Sequence, residues 1–210
     1  MLKYNKSFLV IGSGGHAKAV IDSALSSGLV PLGVIDLNYK NQEEKILGVN
    51  VLGNINVLEK YSHKETSVII AIGDNNKREE MFFLLKNMGF QLLTIIHHTA
   101  NISKSAVIGK GVFVSSGAII NSEANIGDNS IINSGVIVEH ETKIGSHCHL
   151  APGSKVGGRS FIENGSFIGI GSSISNSIKV GHRAVIGAGS VIIKDVEPNS
   201  TIVGMGRVVK

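Results

Sequence analysis

Residues 102–132 read ISKSAVIGKGVFVSSGAIINSEANIGDNSII, and every sixth position is aliphatic: Ile102, Ile108, Val114, Ile120, Ile126 and Ile132. The step continues without insertion through Val138, Ile144, Leu150, Val156, Ile162, Ile168, Ile174, Val180, Ile186 and Ile192. The chain holds 28 isoleucines, 21 valines and 14 leucines, 63 of 210 residues. Sixteen successive hits then have chance odds of about 4 in a billion, so the stretch is a repeat. Four residues after each aliphatic the side chain is usually small, as at Ala106, Ala118, Ala124, Ser154, Ser160 and Ser166. Glycine often follows the aliphatic directly, as at Gly109, Gly127, Gly145, Gly157, Gly169, Gly181 and Gly187. The pattern predicts a parallel β-helix in which three six-residue units make one coil and coils stack about 4.8 Å apart. The aliphatic points inward, the small residue completes a narrow core, and glycine is expected to supply positive-φ turns.

Composition agrees with that architecture. The chain has 26 glycines, 3 prolines, no tryptophan and only 5% aromatics, because bulky rings do not fit so narrow a core. A 42% hydrophobic and 17% charged content excludes a disordered chain. There is no G-X-Y period, which excludes collagen. No apolar run approaches the roughly 20 residues of a membrane span. Phe8 to Ile11 is shorter than a signal-peptide core of about 7–15 residues. The one cysteine, Cys148, cannot form an internal disulfide and suits a reducing cytoplasm. It occupies the small inward position, which predicts a buried, inert thiol. A net charge of +4 suits anionic partners. Lys77, Arg78, Lys155, Arg159, Arg183 and Arg207 are scattered without aromatic interleaving, which speaks against nucleic acid.

The first hundred residues follow another rule. Strands are expected at Ser7 to Ile11, Pro31 to Ile35, Ser67 to Ile72 and Gln91 to Ile96, with helices over Ala17 to Leu25 and Lys77 to Asn87. Such alternation predicts a small Rossmann-like parallel sheet in an α/β domain. The division falls near Thr99, giving domains 1–98 and 99–210. Gly12-x-Gly14-x-x-Ala17 follows the first strand, opens a helix, and has Asp36 at the end of the next strand. That is a relaxed pyrophosphate-binding fingerprint, which a nucleotide sugar satisfies as well as a dinucleotide does. A plain strand-to-helix turn is the ordinary alternative. Ala71-Ile72-Gly73-Asp74-Asn75-Asn76 ends another strand, at the sheet edge where ligands bind; Asp and Asn there also serve as helix caps.

Within the repeat, Glu139, His140, Glu141, Lys143, His147, His149 and Lys155 form a titratable cluster. His140 sits two residues after Val138, at a turn pointing away from the core. A neighbouring carboxylate, Glu141 or Glu139, suits it to base chemistry, although a solvated surface histidine reads the same way. His149 lies half a coil further on, so the two histidines share a site only between subunits. Metal binding by His140, His147 and His149 lacks a completing carboxylate or cysteine.

Taken in order, Gly14-Gly15-His16, Ala71-Ile72-Gly73, Glu139-His140-Glu141 and Ile202-Val203-Gly204-Met205-Gly206-Arg207 make the whole chain resemble a known family. It comprises the bacterial sugar acyltransferases that include UDP-4-amino-sugar N-acetyltransferases and sialic acid O-acetyltransferases. The resemblance implies a left-handed β-helix and a homotrimer with acetyl-CoA between adjacent helices, without a metal. It implies that His140 is the general base and Glu141 its polarising partner. His149 would contact the thioester region, with Gly158, Ile170 and Ala188 lining the cofactor groove. Gly14, Gly15, His16, Asp36, Leu37 and Gly73 would hold a UDP-amino-sugar substrate. O-acetylation of a sugar and a non-enzymatic ligand-binding scaffold are the other readings. The chain departs from the family pattern at Gly206, where proline is usual, and at Asp74, where asparagine is common.

Overall fold

The computed structural model describes residues 7–40, 44–204 and 207–209. Hydrophobic Phe8-Leu9-Val10-Ile11 forms most of strand β1 (Ser7–Ile11), whose last four residues are buried. Parallel strands buried on both faces read as continuous apolar runs, and β1 is such a strand. It lies between β2 (Gly33–Ile35) and β5 (Thr66–Ile70), pairing in parallel with both. The sheet continues through β4 (Val49–Gly53) and β3 (Lys45–Ile46) on one side and β6 (Gln91–Leu92) on the other. Only the β3–β4 pair, a hairpin that the sequence pattern did not mark, is antiparallel among its described pairings.

Helix α1 (Gly15–Ser26) begins on the glycine loop, earlier than its apolar pattern predicts. Helix α2 (Asn75–Asn87) also starts early, because the Asp74 side chain caps it by accepting from the Lys77 N–H at 2.9 Å. Gly12 needs its glycine: φ is +114°, and a Cβ there would stand 2.8 Å from the Ala71 carbonyl oxygen.

The repeat region is a left-handed parallel β-helix with three faces. The first face runs from Ile95–Ile96 through Phe113–Val114, Ile131–Ile132, His149–Leu150, Phe167–Ile168 and Val185–Ile186 to the end of the described chain. The second begins at Asn101–Ile102 and the third at Val107–Ile108. Pairing is in register at eighteen-residue steps, for example Ile132 with Leu150 and Val138 with Val156. From Val114 to Ile192 every residue of the six-step series is buried.

The span Gln91 to Ile96, expected as one strand, divides. Gln91–Leu92 pairs with β5 in the first sheet, whereas Ile95–Ile96 pairs with Phe113–Val114 in the β-helix. The glycines also need a correction. Those that directly follow the aliphatic residue are not the positive-φ positions, which fall two residues later at Gly111, Gly117, Gly135, Gly153, Gly165, Gly171 and Gly189. A Cβ on Gly127 would meet the Gly145 carbonyl carbon and the Ser146 nitrogen at 2.5 Å. The directly following glycine therefore lets successive coils approach. The left-handed turn itself accepts other residues, including Glu141, His147 and Arg159.

Candidate active site

The glycine loop, the end of β2 and the end of β5 enclose a cavity of about 830 Å³ at the carboxyl edge of the first sheet. Gly14, Gly15, His16, Asp36, Leu37 and Gly73 all line it, so the six residues nominated for the substrate share one place. Lys77, Glu80, Met81 and Leu84 of α2 complete the wall. Asp36 accepts from the Asn38 N–H at 2.9 Å, which folds the chain after β2 over the rim.

One buried side chain ties this cavity to the β-helix. Arg78, one of the scattered basic residues of the sequence, is only 1% exposed. Its Nη1 donates to the Ile72 and Gly73 carbonyls at 3.2 and 3.1 Å. Nε donates to the Asn129 carbonyl at 2.9 Å and Nη2 to the His147 carbonyl at 2.8 Å. Nη2 also reaches Asn75 Oδ1 at 2.8 Å, while Asn75 Nδ2 donates to the Gly165 carbonyl at 2.8 Å. Burial pulls the guanidinium down to about 10, still charged at neutral pH. A planar cation with five donors matches this set of carbonyls better than lysine would. Sequence reasoning missed it because all but one of its partners are backbone atoms.

His149 joins the same seam. Nδ1 lies 3.3 Å from the Gly73 carbonyl oxygen and Nε2 lies 3.3 Å from Asn133 Nδ2. The carbonyl only accepts and the amide nitrogen only donates, so the ring is the neutral Nδ1–H tautomer. Burial, then Arg78, lowers its pKa to about 4. His16 is pushed to about 3 by burial, then by His149 and Arg78. It packs edge-on against Phe113 at 5.2 Å and lies 6.2 Å from the His149 ring. His147 turns elsewhere, with Nδ1 2.8 Å from Asn129 Nδ2 and Nε2 3.9 Å from Glu79. Among the described residues no group of three or more His, Cys, Asp or Glu is placed to hold a metal ion. Cys148 is fully buried and its thiol is raised to about 12 by burial.

His140 stands at the edge between the second and third faces, on the exposed turn after Ile137–Val138. Its Nδ1 is 3.0 Å from Glu141 Oε2. The ring lies over Gly158, one coil later, where a Cβ would be 2.7 Å from both Cε1 and Nε2. Gly158, nominated for the cofactor groove, is thus the floor beneath the imidazole. Ile170 and Ala188 occupy a different edge, between the first and second faces; Ile170 is 60% exposed and Ala188 is also exposed. Within one chain, His140 and Gly158, Ile170 and Ala188, and His149 therefore lie on three separate parts of the prism. Of the closing segment, Met205 and Gly206 lie outside the described residues.

A glycine-loop α/β domain clasped to a hexapeptide prism defines a class of acyltransferase, and comparison with known proteins agrees. The PglD N-terminal domain family matches residues 7–85, and the bacterial transferase hexapeptide (six repeats) family matches residues 123–158 and 159–194. PerB from Caulobacter crescentus, solved with CoA and GDP-perosamine, is 32% identical over 98% of both chains with a TM-score of 0.92. The acetyltransferase domain of PglB from Neisseria gonorrhoeae, solved with acetyl coenzyme A, is 29% identical over 98% of this chain and 100% of that one, with a TM-score of 0.91. WeeI from Acinetobacter baumannii is 26% identical over 97% and 100%, with a TM-score of 0.89. An uncharacterized protein of Acanthamoeba polyphaga mimivirus is 35% identical over 107 residues, 51% of this chain; the match spans about a fifth of that relative's length. The chain belongs to the PglD-like sugar acetyltransferases of the hexapeptide-repeat superfamily.

Proposed function

We propose that the protein transfers the acetyl group of acetyl-CoA to the 4-amino group of a UDP-linked amino-dideoxy sugar. The observation that carries this reading is the cavity at the sheet edge, which gathers the glycine loop, His16, Asp36 and Gly73 around one space. Backbone N–H groups at the start of α1 suit a pyrophosphate. The likeness to PerB, solved with GDP-perosamine, supports a nucleotide-linked amine as acceptor over a sugar hydroxyl. Lys77 adds a cation to the same wall.

In this reading His140 Nε2 takes the proton from the amine as nitrogen attacks the thioester carbonyl. Nδ1–H meanwhile stays on Glu141, which steadies the imidazolium. A backbone N–H of an adjacent coil holds the oxyanion. Collapse expels the CoA thiolate, which takes a proton from His140. The edge positions of Ile170 and Ala188 support a cofactor groove formed with a neighbouring prism, and so a homotrimer. The site is then completed between subunits, in a cytoplasmic enzyme.

The test is a thiol-release assay with acetyl-CoA against UDP- and GDP-linked 4-amino sugars and free sialic acid. Turnover highest with a UDP-amino sugar is expected. Preference for the GDP-linked series changes the nucleotide, and turnover with sialic acid alone overturns the reading. His140→Ala should cut kcat by about 10²- to 10⁴-fold with the assembly intact by light scattering. Undiminished turnover in that variant removes the base.

A further inference from the structure

Beside His140 the edge carries a cation that has no part in the chemistry just proposed. Arg159 stands eighteen residues after Glu141, at the same left-handed turn position of the next coil (φ +59° and +58°). Its backbone N–H donates to the His140 carbonyl at 3.0 Å, which locks the two turns together. Coil stacking then sets the Arg159 side chain directly beside the Glu141 carboxylate. Nε donates to Glu141 Oε2 at 3.0 Å, and that same oxygen is 3.0 Å from His140 Nδ1. A guanidinium and an imidazole N–H thus converge on one carboxylate oxygen.

We infer that Arg159 is a positioning residue for the reaction, holding the Glu141 carboxylate toward His140 while weakening its support for the protonated imidazole. The inference rests on the reading of His140 as base. A carboxylate shared with a guanidinium is a poorer acceptor than one serving histidine alone, and a nearby positive charge opposes a second. Glu141 itself is held below the usual carboxylate range, first by Arg159 and then by His140. Other charged groups facing this edge are Glu123 and Lys143, which line the same groove as Glu141 and Arg159, and Glu139 on the His140 turn. Those groups stay in place when Arg159 is altered. With Arg159 present the guanidinium competes with the imidazole for Glu141 Oε2; without it, that oxygen serves His140 alone.

Arg159→Gln should therefore move the acid limb of kcat/KM upward by about half a pH unit, a roughly threefold loss at pH 6 relative to the parent protein. Arg159→Lys, which keeps the charge, should return the limb toward the parent position. The titration of the His140 ring, followed by NMR in the ligand-free protein, should move upward in Arg159→Gln by the same amount. A ring titration that does not move overturns the inference. A ring that moves while the kcat/KM limb stays fixed upholds the Arg159 pairing and sinks instead the assignment of His140 as base. A loss that is uniform across pH, with no shift in either readout, assigns Arg159 a purely structural role and also overturns it.

Discussion

The first and third faces of the prism are built from the same repeat yet present opposite surfaces. Outward positions on the first face read Ile95, Phe113, Ile131, His149, Phe167 and Val185, whereas those on the third read Val107, Asn125, Lys143, Phe161 and Lys179. Ile95, Phe113 and Ile131 are buried, packed with Val20, Ile21 and Ala24 of α1 in one apolar cluster. Every outward residue of the third face is exposed. Inward residues determine that a prism forms; outward residues determine what covers each side. His149 has the environment of a domain seam, and His140 that of an open edge near the uncovered face. That contrast separates two kinds of histidine chemistry within nine residues.

The largest effect is expected where the seam is held. Arg78→Met fills similar volume but leaves the Asn129 and His147 carbonyls without their buried donor. Losing several charge-assisted bonds of this kind costs about 3 kcal/mol. For a chain of this size that lowers Tm by about 6–12 °C. Because the same guanidinium carries the Ile72 and Gly73 carbonyls of the cavity wall, KM for the proposed nucleotide-sugar substrate should rise by more than kcat falls. Calorimetry with steady-state kinetics checks both. A Tm within 2 °C of the parent would break the distinction between a fastened face and an open edge.

A smaller, sharper effect belongs to the edge. Gly158→Ala places a methyl where the His140 ring lies, so the imidazole must swing away from Glu141. On the proposed role of His140 as base we expect kcat to fall about tenfold, since a displaced base loses much of a contribution of about 10²- to 10⁴-fold, with Tm nearly unchanged. Adding Gly158→Ala to His140→Ala should cost nothing further, because residues acting as a unit are not additive. An additive loss in the double variant would place Gly158 in a separate role, against the cofactor.

How much of this was legible beforehand follows from which interactions leave a periodic trace. The six-residue aliphatic step announces the prism, and Glu139-His140-Glu141 stands out because stacking turns do not need it. The covered face left a trace too: Phe113, Ile131, His149 and Phe167 recur at eighteen-residue steps. Arg159 is one coil beyond Glu141 and was within reach of the same arithmetic. Arg78 was not, because its partners on the β-helix are carbonyls 51 to 70 residues away, and any residue type supplies a carbonyl. The role of the directly following glycines was misread for a similar reason. Positive φ is a local property that the sequence suggests, whereas contact with the next coil's backbone is a tertiary one.

The smallest prediction concerns acid stability, and it follows from the seam. His16 and His149 ionise near 6.5 when unfolded but are held to about 3 and about 4 in the folded protein. Below about pH 6.5 the unfolded chain binds protons that the folded chain refuses, so stability rises with pH across this window. Their contribution is complete above pH 6.5 and is lost progressively as pH falls toward 4. His149→Gln removes one titrating group while keeping an amide able to reach the Gly73 carbonyl. The fall in Tm between pH 7 and pH 5 should then be shallower than in the parent protein, even if Tm at pH 7 is somewhat lower. Calorimetric scans at pH 7, 6 and 5 for both proteins measure the difference. Parallel declines would mean that the seam takes up its protons elsewhere, and the neutral tautomer set by Gly73 and Asn133 would no longer explain why this histidine is buried.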